Sequence, residues 1–272
     1  MLLLYEPEMV QAVILGIIQG FTEFLPVSST AHLILFPWIF GWEDPGLAFD
    51  VFLHLGSLTG IIAFFWRDFY NMAAGMIKSN KGSIDTNTEG KIGWYIIIGT
   101  IPAGIAGLLF QDKIESLLRD PSLIAVTLIL FGLLLWWAEE KGRKRRKLHN
   151  MNISDALIIG CAQAVALIPG VSRSGITITA GLFRNLERET AARFTFLLST
   201  PIILAGGLLS FTDVYNTGLP EGMLLPVITG FIASAVSGFL AIKFLMSFLS
   251  KQKVNIFVYY RIVLGLVILL VR

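Results

Sequence analysis

Residues 10–40 read VQAVILGIIQGFTEFLPVSSTAHLILFPWIF, and residues 153–183 read ISDALIIGCAQAVALIPGVSRSGITITAGLF. Both stretches are apolar, and both are broken in the middle by proline, serine and charge. Neither half of either stretch reaches the roughly 20 residues that a helix needs to cross about 30 Å of hydrocarbon. A re-entrant hairpin, entering and leaving on one side, fits each better than a span. Broken backbone at membrane depth is tolerated only where protein or a watery cavity surrounds it, so the two hairpins mark the interior of the molecule.

The rest of the chain supports a membrane reading. Of its 272 residues, 55 % are hydrophobic, and the mean hydropathy is +0.73. One soluble core could not hide so much apolar surface. Six runs read as full spans, near Leu47–Trp66, Trp94–Phe110, Leu123–Ala138, Ala191–Phe211, Met223–Leu245 and Val254–Val271. The run Lys141, Arg143, Lys144, Arg145, Arg146, Lys147 predicts a cytoplasmic loop by the positive-inside rule; so short a loop is no nucleic-acid surface. Fixing it inside puts Arg67, Lys78, Lys81, Lys91, Arg184, Arg188, Arg193, Lys243, Lys251 and Lys253 on the same side. The opposite loops carry Glu43, Asp44, Asp112, Asp120, Asp213 and Glu221. The N-terminus has neither a basic region nor a small-residue cleavage site, so the first apolar segment is expected to stay. The single Cys161 excludes a disulfide framework or thiolate metal site and reads as a small buried apolar residue.

The chain also repeats itself. Gly16 and Gly160, Gln19 and Gln163, and Ser28 and Ser172 are each 144 residues apart. Each half holds one broken hairpin and three spans. An odd number of spans inserts the second half upside down and brings the two hairpin tips together near the midplane, as in inverted-repeat membrane proteins. The expectation is an all-α polytopic membrane protein: one domain over 1–272, two inverted repeats (about 1–140 and 151–272), and a joining loop at 139–150. Small residues at Gly99, Ala103, Gly104, Ala106 and Gly107 permit close helix contact, within the chain or between two copies, which leaves a homodimer open.

Two constellations carry chemistry. In Gln19–His32, Gln19 and Glu23 are four apart and share a helix face. Both offer oxygen, which suits a hard divalent ion that takes one or two carboxylates together with phosphate oxygens. A carboxylate at this depth is by default a functional candidate. Pro26 breaks the helix, and Ser28, Ser29 and Thr30 then open the next one with hydroxyls and free amides, an anion-binding end. His32 lies three residues after Ser29, and a serine with an imidazole is a minimal activated nucleophile. In Pro169–Thr177, glycines permit a tight turn, Arg173 offers a planar fork of donors for phosphate oxygens, and Ser172, Ser174 and Thr177 add hydroxyls. Arg261, in the last span beside Tyr259 and Tyr260, either snorkels to the edge or faces the cavity as a second phosphate clamp. His54, among apolar neighbours, reads as a structural histidine, and His149 as a solvated loop residue.

At these residues the chain resembles the undecaprenyl-diphosphatase family, known also as the bacitracin-resistance proteins. The family's first motif is Glu or Gln, three residues, Glu, then a Pro-Val-Ser-Ser stretch ending in His; here it is QGFTEFLPVSSTAH, Gln19 to His32. The second, PGxSRSGxT, is PGVSRSGIT, Pro169 to Thr177. The resemblance implies an inner-membrane enzyme that hydrolyses undecaprenyl diphosphate to the monophosphate, recycling the lipid carrier of cell-wall precursors. It also implies a site open to the outer, periplasmic face and a divalent metal, Mg²⁺ with Ca²⁺ as the alternative, held by Glu23 and Gln19. Ser29 and His32 would then be nucleophile and partner. Arg173, Ser172, Ser174 and Thr177 would bind the diphosphate, supported by Arg261; Ser28 and Thr30, at the anion-binding helix start, are read from the residues themselves as further substrate contacts. Direct attack by His32 or by a metal-bound water stays open. Many members carry Glu where this chain has Gln19, an amide with one oxygen and no charge. The rival reading is a transporter or flippase for a polyprenyl phosphate or other anion, because inverted repeats with a midplane anion site also suit alternating access.

Overall fold

The computed structural model describes residues 6–43, 45–78, 88–117, 120–217 and 222–271. Its ten α-helices run α1 (Glu6–Phe24), α2 (Ser29–Phe40), α3 (Leu47–Lys78), α4 (Thr88–Leu117), α5 (Pro121–Lys141), α6 (Ile153–Val165), α7 (Arg173–Phe183), α8 (Arg188–Thr217), α9 (Leu224–Leu249) and α10 (Asn255–Val271). Among the described residues, five stretches are long and apolar enough to cross a membrane: Ala48–Lys78, Thr88–Phe110, Pro121–Lys141, Arg188–Leu209 and Leu224–Leu249. They answer to five of the six expected spans. The sixth, α10, has 17 residues, roughly 26 Å of helix, and falls with the shorter apolar helices. Of the loop charges read above, Asp44, Lys81, Glu221 and the side chains of Asp112 and Asp213 lie outside the described residues.

Both apolar stretches are broken where proline and serine break the sequence. α1 stops at Phe24, two residues short of Pro26, and α2 restarts at Ser29. α6 stops at Val165 and α7 restarts at Arg173. The residue before each restart has the same unusual backbone: Ser28 at φ 76°, ψ 97° and Ser172 at φ 70°, ψ 113°. A side chain at positive φ costs on the order of 1–3 kcal/mol and persists only where its surroundings impose it.

The helix contacts match in the same way. α1 packs along α9, and α6 packs along α4. Glycine makes both crossings close. A Cβ on Gly16 would collide with the Gly230 carbonyl oxygen, and one on Gly160 with that of Gly99. Gly99 therefore belongs to a contact within the chain. Gly104 and Gly107, by contrast, face open space. Cys161 corrects the expectation of burial: it is exposed, on the face of α6 that also turns Leu157, Ile158 and Val165 outward. The opposite face, with Ala156, Ile159, Gly160 and Gln163, takes the packing against α4 and α7.

Arg261 of α10 joins the two breaks. It is fully buried. Its Nε donates to the Leu128 carbonyl at 3.1 Å, one terminal nitrogen to that of Pro26 at 3.4 Å, and the other to those of Gly170 and Val171 at 3.0 and 2.9 Å. Interrupted helices leave carbonyls without amide partners, and in lipid such groups must be satisfied internally. A planar guanidinium reaches several at once. The Ser174 hydroxyl adds a stitch to the Leu25 carbonyl at 3.0 Å.

At one end of the bundle the basic loop is tied down by ion pairs. Arg146 and Arg184 share Asp155, Arg188 and Lys144 share the buried Glu139, Arg193 meets Asp68, and Lys253 meets Glu140.

Two stability outcomes follow. Arg261→Lys, with a compact ammonium in place of the fork, strands buried carbonyls at about 1–3 kcal/mol each; thermal unfolding in detergent should shift down by several degrees. Gly160→Leu should do the same through overpacking, whereas Gly104→Ala should leave the transition in place.

Candidate active site

Glu23, in the last turn of α1, is the acceptor on which the tips converge. Gln19 Nε2, one turn earlier, donates to its Oε2 at 3.0 Å. The Ser29 hydroxyl donates to the same oxygen at 2.7 Å. Arg173, opening α7 from the other hairpin, lies 3.2 Å from Oε1. His54 Nε2, from α3, lies 3.5 Å from Oε2. The Glu23 side chain is 3 % exposed and that of Arg173 24 %, and Arg173 lines an opening.

That opening is a cleft of about 400 Å³. Thr30, Asp50, His54, Gln163 and Arg173 supply its polar lining, and Ala103, Gly104, Gly107 and Leu108 of α4, with Ile202, Ile203, Gly206 and Leu209 of α8, line it with apolar surface. Thr30 at the start of α2 and Arg173 at the start of α7 both line it, and helix N-termini present free amides and a positive dipole end.

The expected residues thus divide. Gln19, Glu23, Ser29 and Arg173 come together, and Thr30 lines the cleft. Ser28 is buried at the break, with its carbonyl engaged by His32. Ser172 Oγ caps α7 by accepting from the Gly175 amide at 3.1 Å and sits 3.2 Å from Ser174 Oγ. Thr177 turns into the protein, donating to the Arg173 carbonyl at 2.7 Å and accepting from Thr195 at 3.0 Å. Arg261 neither snorkels nor opens into the cleft; its donors are on carbonyls, as above.

Two pairings differ from the sequence expectation. His32 is not on Ser29. Its Nδ1 is 2.7 Å from the Ser28 carbonyl, to which it donates, and its Nε2 is 2.6 Å from the Tyr260 hydroxyl. With Nδ1–H fixed by a carbonyl, Nε2 of the neutral ring accepts from tyrosine. The positive φ of Ser28 swings Ser29 back toward α1, so a shared helix face does not become a contact. His54, read as structural, stands against Glu23 and in the cleft. Its Nδ1 donates to the Asp50 carbonyl at 2.7 Å, a local bond any helical histidine can make; only the crossing of α3 with α1 aims its other nitrogen.

For a metal, the donor type fits. Gln19 Oε1 is buried with no hydrogen-bond partner, beside a carboxylate, and oxygen-only sets suit hard cations. Among the described residues no group of three or more His, Cys, Asp or Glu stands ready for an ion, so phosphate and water oxygens would complete the shell.

The family model described as "Bacitracin resistance protein BacA" matches residues 12–267. The chain belongs to the BacA family. Relatives named undecaprenyl-diphosphatase include those of Moorella thermoacetica, 50 % identical over 96 % of this chain and 97 % of the relative. The protein of Thermodesulfovibrio yellowstonii is 51 % identical over 97 % of each chain, and that of Thermomicrobium roseum 46 % over 96 % and 97 %. In this BacA-family chain both long motifs fall on the two tips, and the tips touch.

Removing one partner of a buried ion pair leaves the other uncompensated, while removing both can be nearly neutral. Arg173→Met should therefore lower the unfolding temperature, and the double substitution Glu23→Gln/Arg173→Met should recover most of the loss.

Proposed function

We propose that this chain is an undecaprenyl-diphosphate phosphatase of the membrane: it hydrolyses undecaprenyl diphosphate to the monophosphate and inorganic phosphate, returns the lipid carrier to cell-wall synthesis and confers bacitracin resistance. The observation that carries the reading is Ser29 bonded to Glu23, with Arg173 of the other hairpin on the same carboxylate and itself lining a cleft of mixed polar and apolar surface. An amphiphile with a diphosphate head fits such a cleft. The transporter reading gains nothing from a serine held on a carboxylate.

Phosphoryl transfer depends chiefly on positioning and charge stabilisation. Arg173 and the helix N-termini hold the terminal phosphate against Ser29. Ser29 Oγ attacks the terminal phosphorus as its proton passes to Glu23 Oε2, already within hydrogen-bond reach. The bond from phosphorus to the bridging oxygen breaks, and the prenyl monophosphate leaves with that oxygen. Water then displaces the serine oxygen, Glu23 returns the proton to it, and inorganic phosphate departs. His32, both nitrogens engaged, positions the break at Ser28 rather than attacking. Glu23 and Gln19 would hold a divalent cation, Mg²⁺ by donor type, with Ca²⁺ also an oxygen-seeking ion; when bound, it neutralises diphosphate charge.

The topology reading is six spans, with α10 the shortest, and two hairpins entering from opposite leaflets of the inner membrane. The basic loop is cytoplasmic and the cleft opens to the periplasmic side. The matched breaks at Ser28 and Ser172, the matched crossings of α1 on α9 and α6 on α4, and the ion pairs gathered at one end support it. The small-residue stripe on α4 is used by Gly99 within the chain, so it supplies no argument for a homodimer.

Purified protein in detergent, where no second compartment exists, should release phosphate from a polyprenyl diphosphate. Chelator should reduce the rate. Losing one positioned charge-stabilising donor commonly costs on the order of 100–1,000-fold in rate; Arg173→Ala should fall that far, and Ser29→Ala at least as far. Labelled terminal phosphate should be trapped on Ser29. Full turnover by Ser29→Ala would remove this mechanism.

A further inference from the structure

Gln163 is the residue of the second hairpin that the mechanism leaves unused. It stands 144 residues after Gln19, at the matching place in α6. It is 3 % exposed, and neither its Oε1 nor its Nε2 has a hydrogen-bond partner. Buried amides are rarely left without partners, and an unsatisfied one in a native fold calls for an explanation. Gln19 donates to Glu23; Gln163 has no such acceptor. The residue instead lines the cleft, together with Arg173 and with Ala103 and Gly104 of α4.

Its position along the cleft is specific. Gly160 crosses Gly99 of α4 at contact distance, and Gln163 lies one helical turn beyond that crossing. Gly104 and Gly107, further along α4, line the same cleft, and nothing would obstruct a Cβ at either. For a substrate with its terminal phosphorus at Ser29 and its hydrocarbon over the glycines, Gln163 would be a polar lining group left for the second phosphate, the one bonded to the prenyl chain.

We propose that Gln163 binds the prenyl-linked phosphate, donating from Nε2 to a non-bridging oxygen, and so reads the part of the headgroup that stays on the product. The inference rests on the phosphatase reading. It adds a substrate contact that is the same before and after phosphoryl transfer: uniform binding, which appears in KM rather than in kcat.

The test is Gln163→Met, close in volume and without polar atoms, assayed in detergent beside the unaltered protein. Turnover by the unaltered protein tests the phosphatase reading by itself. For Gln163→Met, KM for polyprenyl diphosphate should rise about tenfold with kcat nearly unchanged, a typical loss for one hydrogen bond to a charged group. Inhibition by polyprenyl monophosphate should weaken by the same factor, and inhibition by inorganic phosphate should not change. Unfolding temperature should hold or rise, because an unsatisfied amide has been removed. An unchanged KM with a raised unfolding temperature would make Gln163 a packing defect and overturn the proposal. Loss of inorganic phosphate inhibition would also overturn it, by placing the amide on the terminal phosphate. Gln163→Glu, equal in shape but with an anionic oxygen facing the phosphate, should raise KM further and gives the same readouts if the methionine variant does not fold.

Discussion

A buried guanidinium shared among backbone carbonyls is the constraint from which the site follows. Two helices interrupted inside an apolar bundle expose carbonyls that lipid cannot satisfy. Arg261 takes those of Pro26, Gly170 and Val171 onto one side chain and so sets the two breaks at a fixed separation. With the breaks fixed, Arg173 reaches Glu23, Ser174 reaches Leu25, and both helix N-termini open on the same cleft. A carboxylate in this position, alone, would be a buried charge without compensation. Surrounded by Gln19, Ser29, His54 and Arg173, it becomes the centre of a polar cluster in an otherwise apolar protein.

The division of labour among similar residues follows from the same frame. Arg173 and Arg261 are both arginines near the tips, yet one faces the cleft and the other faces backbone. The hydroxyls divide likewise: Ser29 points at the carboxylate, Ser172 caps a helix, Ser174 stitches the hairpins, and Thr177 joins α7 to α8 through Thr195. Motif residues packed this closely do not all meet the substrate; several hold in place the few that do.

Much of this was legible in the sequence. Proline and serine inside apolar runs announce broken helices, because proline removes a donor wherever it falls. A carboxylate in one break and an arginine in the other mark the two tips as the site, because each is costly alone at that depth; that they would contact each other was not legible. What could not be read depends on tertiary direction. The partners of Arg261 are carbonyls, which every residue carries and no motif encodes. The place of His54 is set by the crossing of α3, and its local bond to Asp50 gives no hint of Glu23. The spacing of Ser29 and His32 promised a pair, but the left-handed backbone of Ser28 turned one toward α1 and left the other to Tyr260, a residue of α10.

The clamp also orders events in time. Arg261 is 235 residues downstream of the Pro26 carbonyl it secures, and α9, the seat of α1, is nearly as remote. The first hairpin, although it leaves the ribosome early, must wait in the translocon or lipid until almost all of this stretch has been synthesised before its tip can settle. A chain made only as far as α9 therefore carries every residue of the first motif without the clamp that sets its tip.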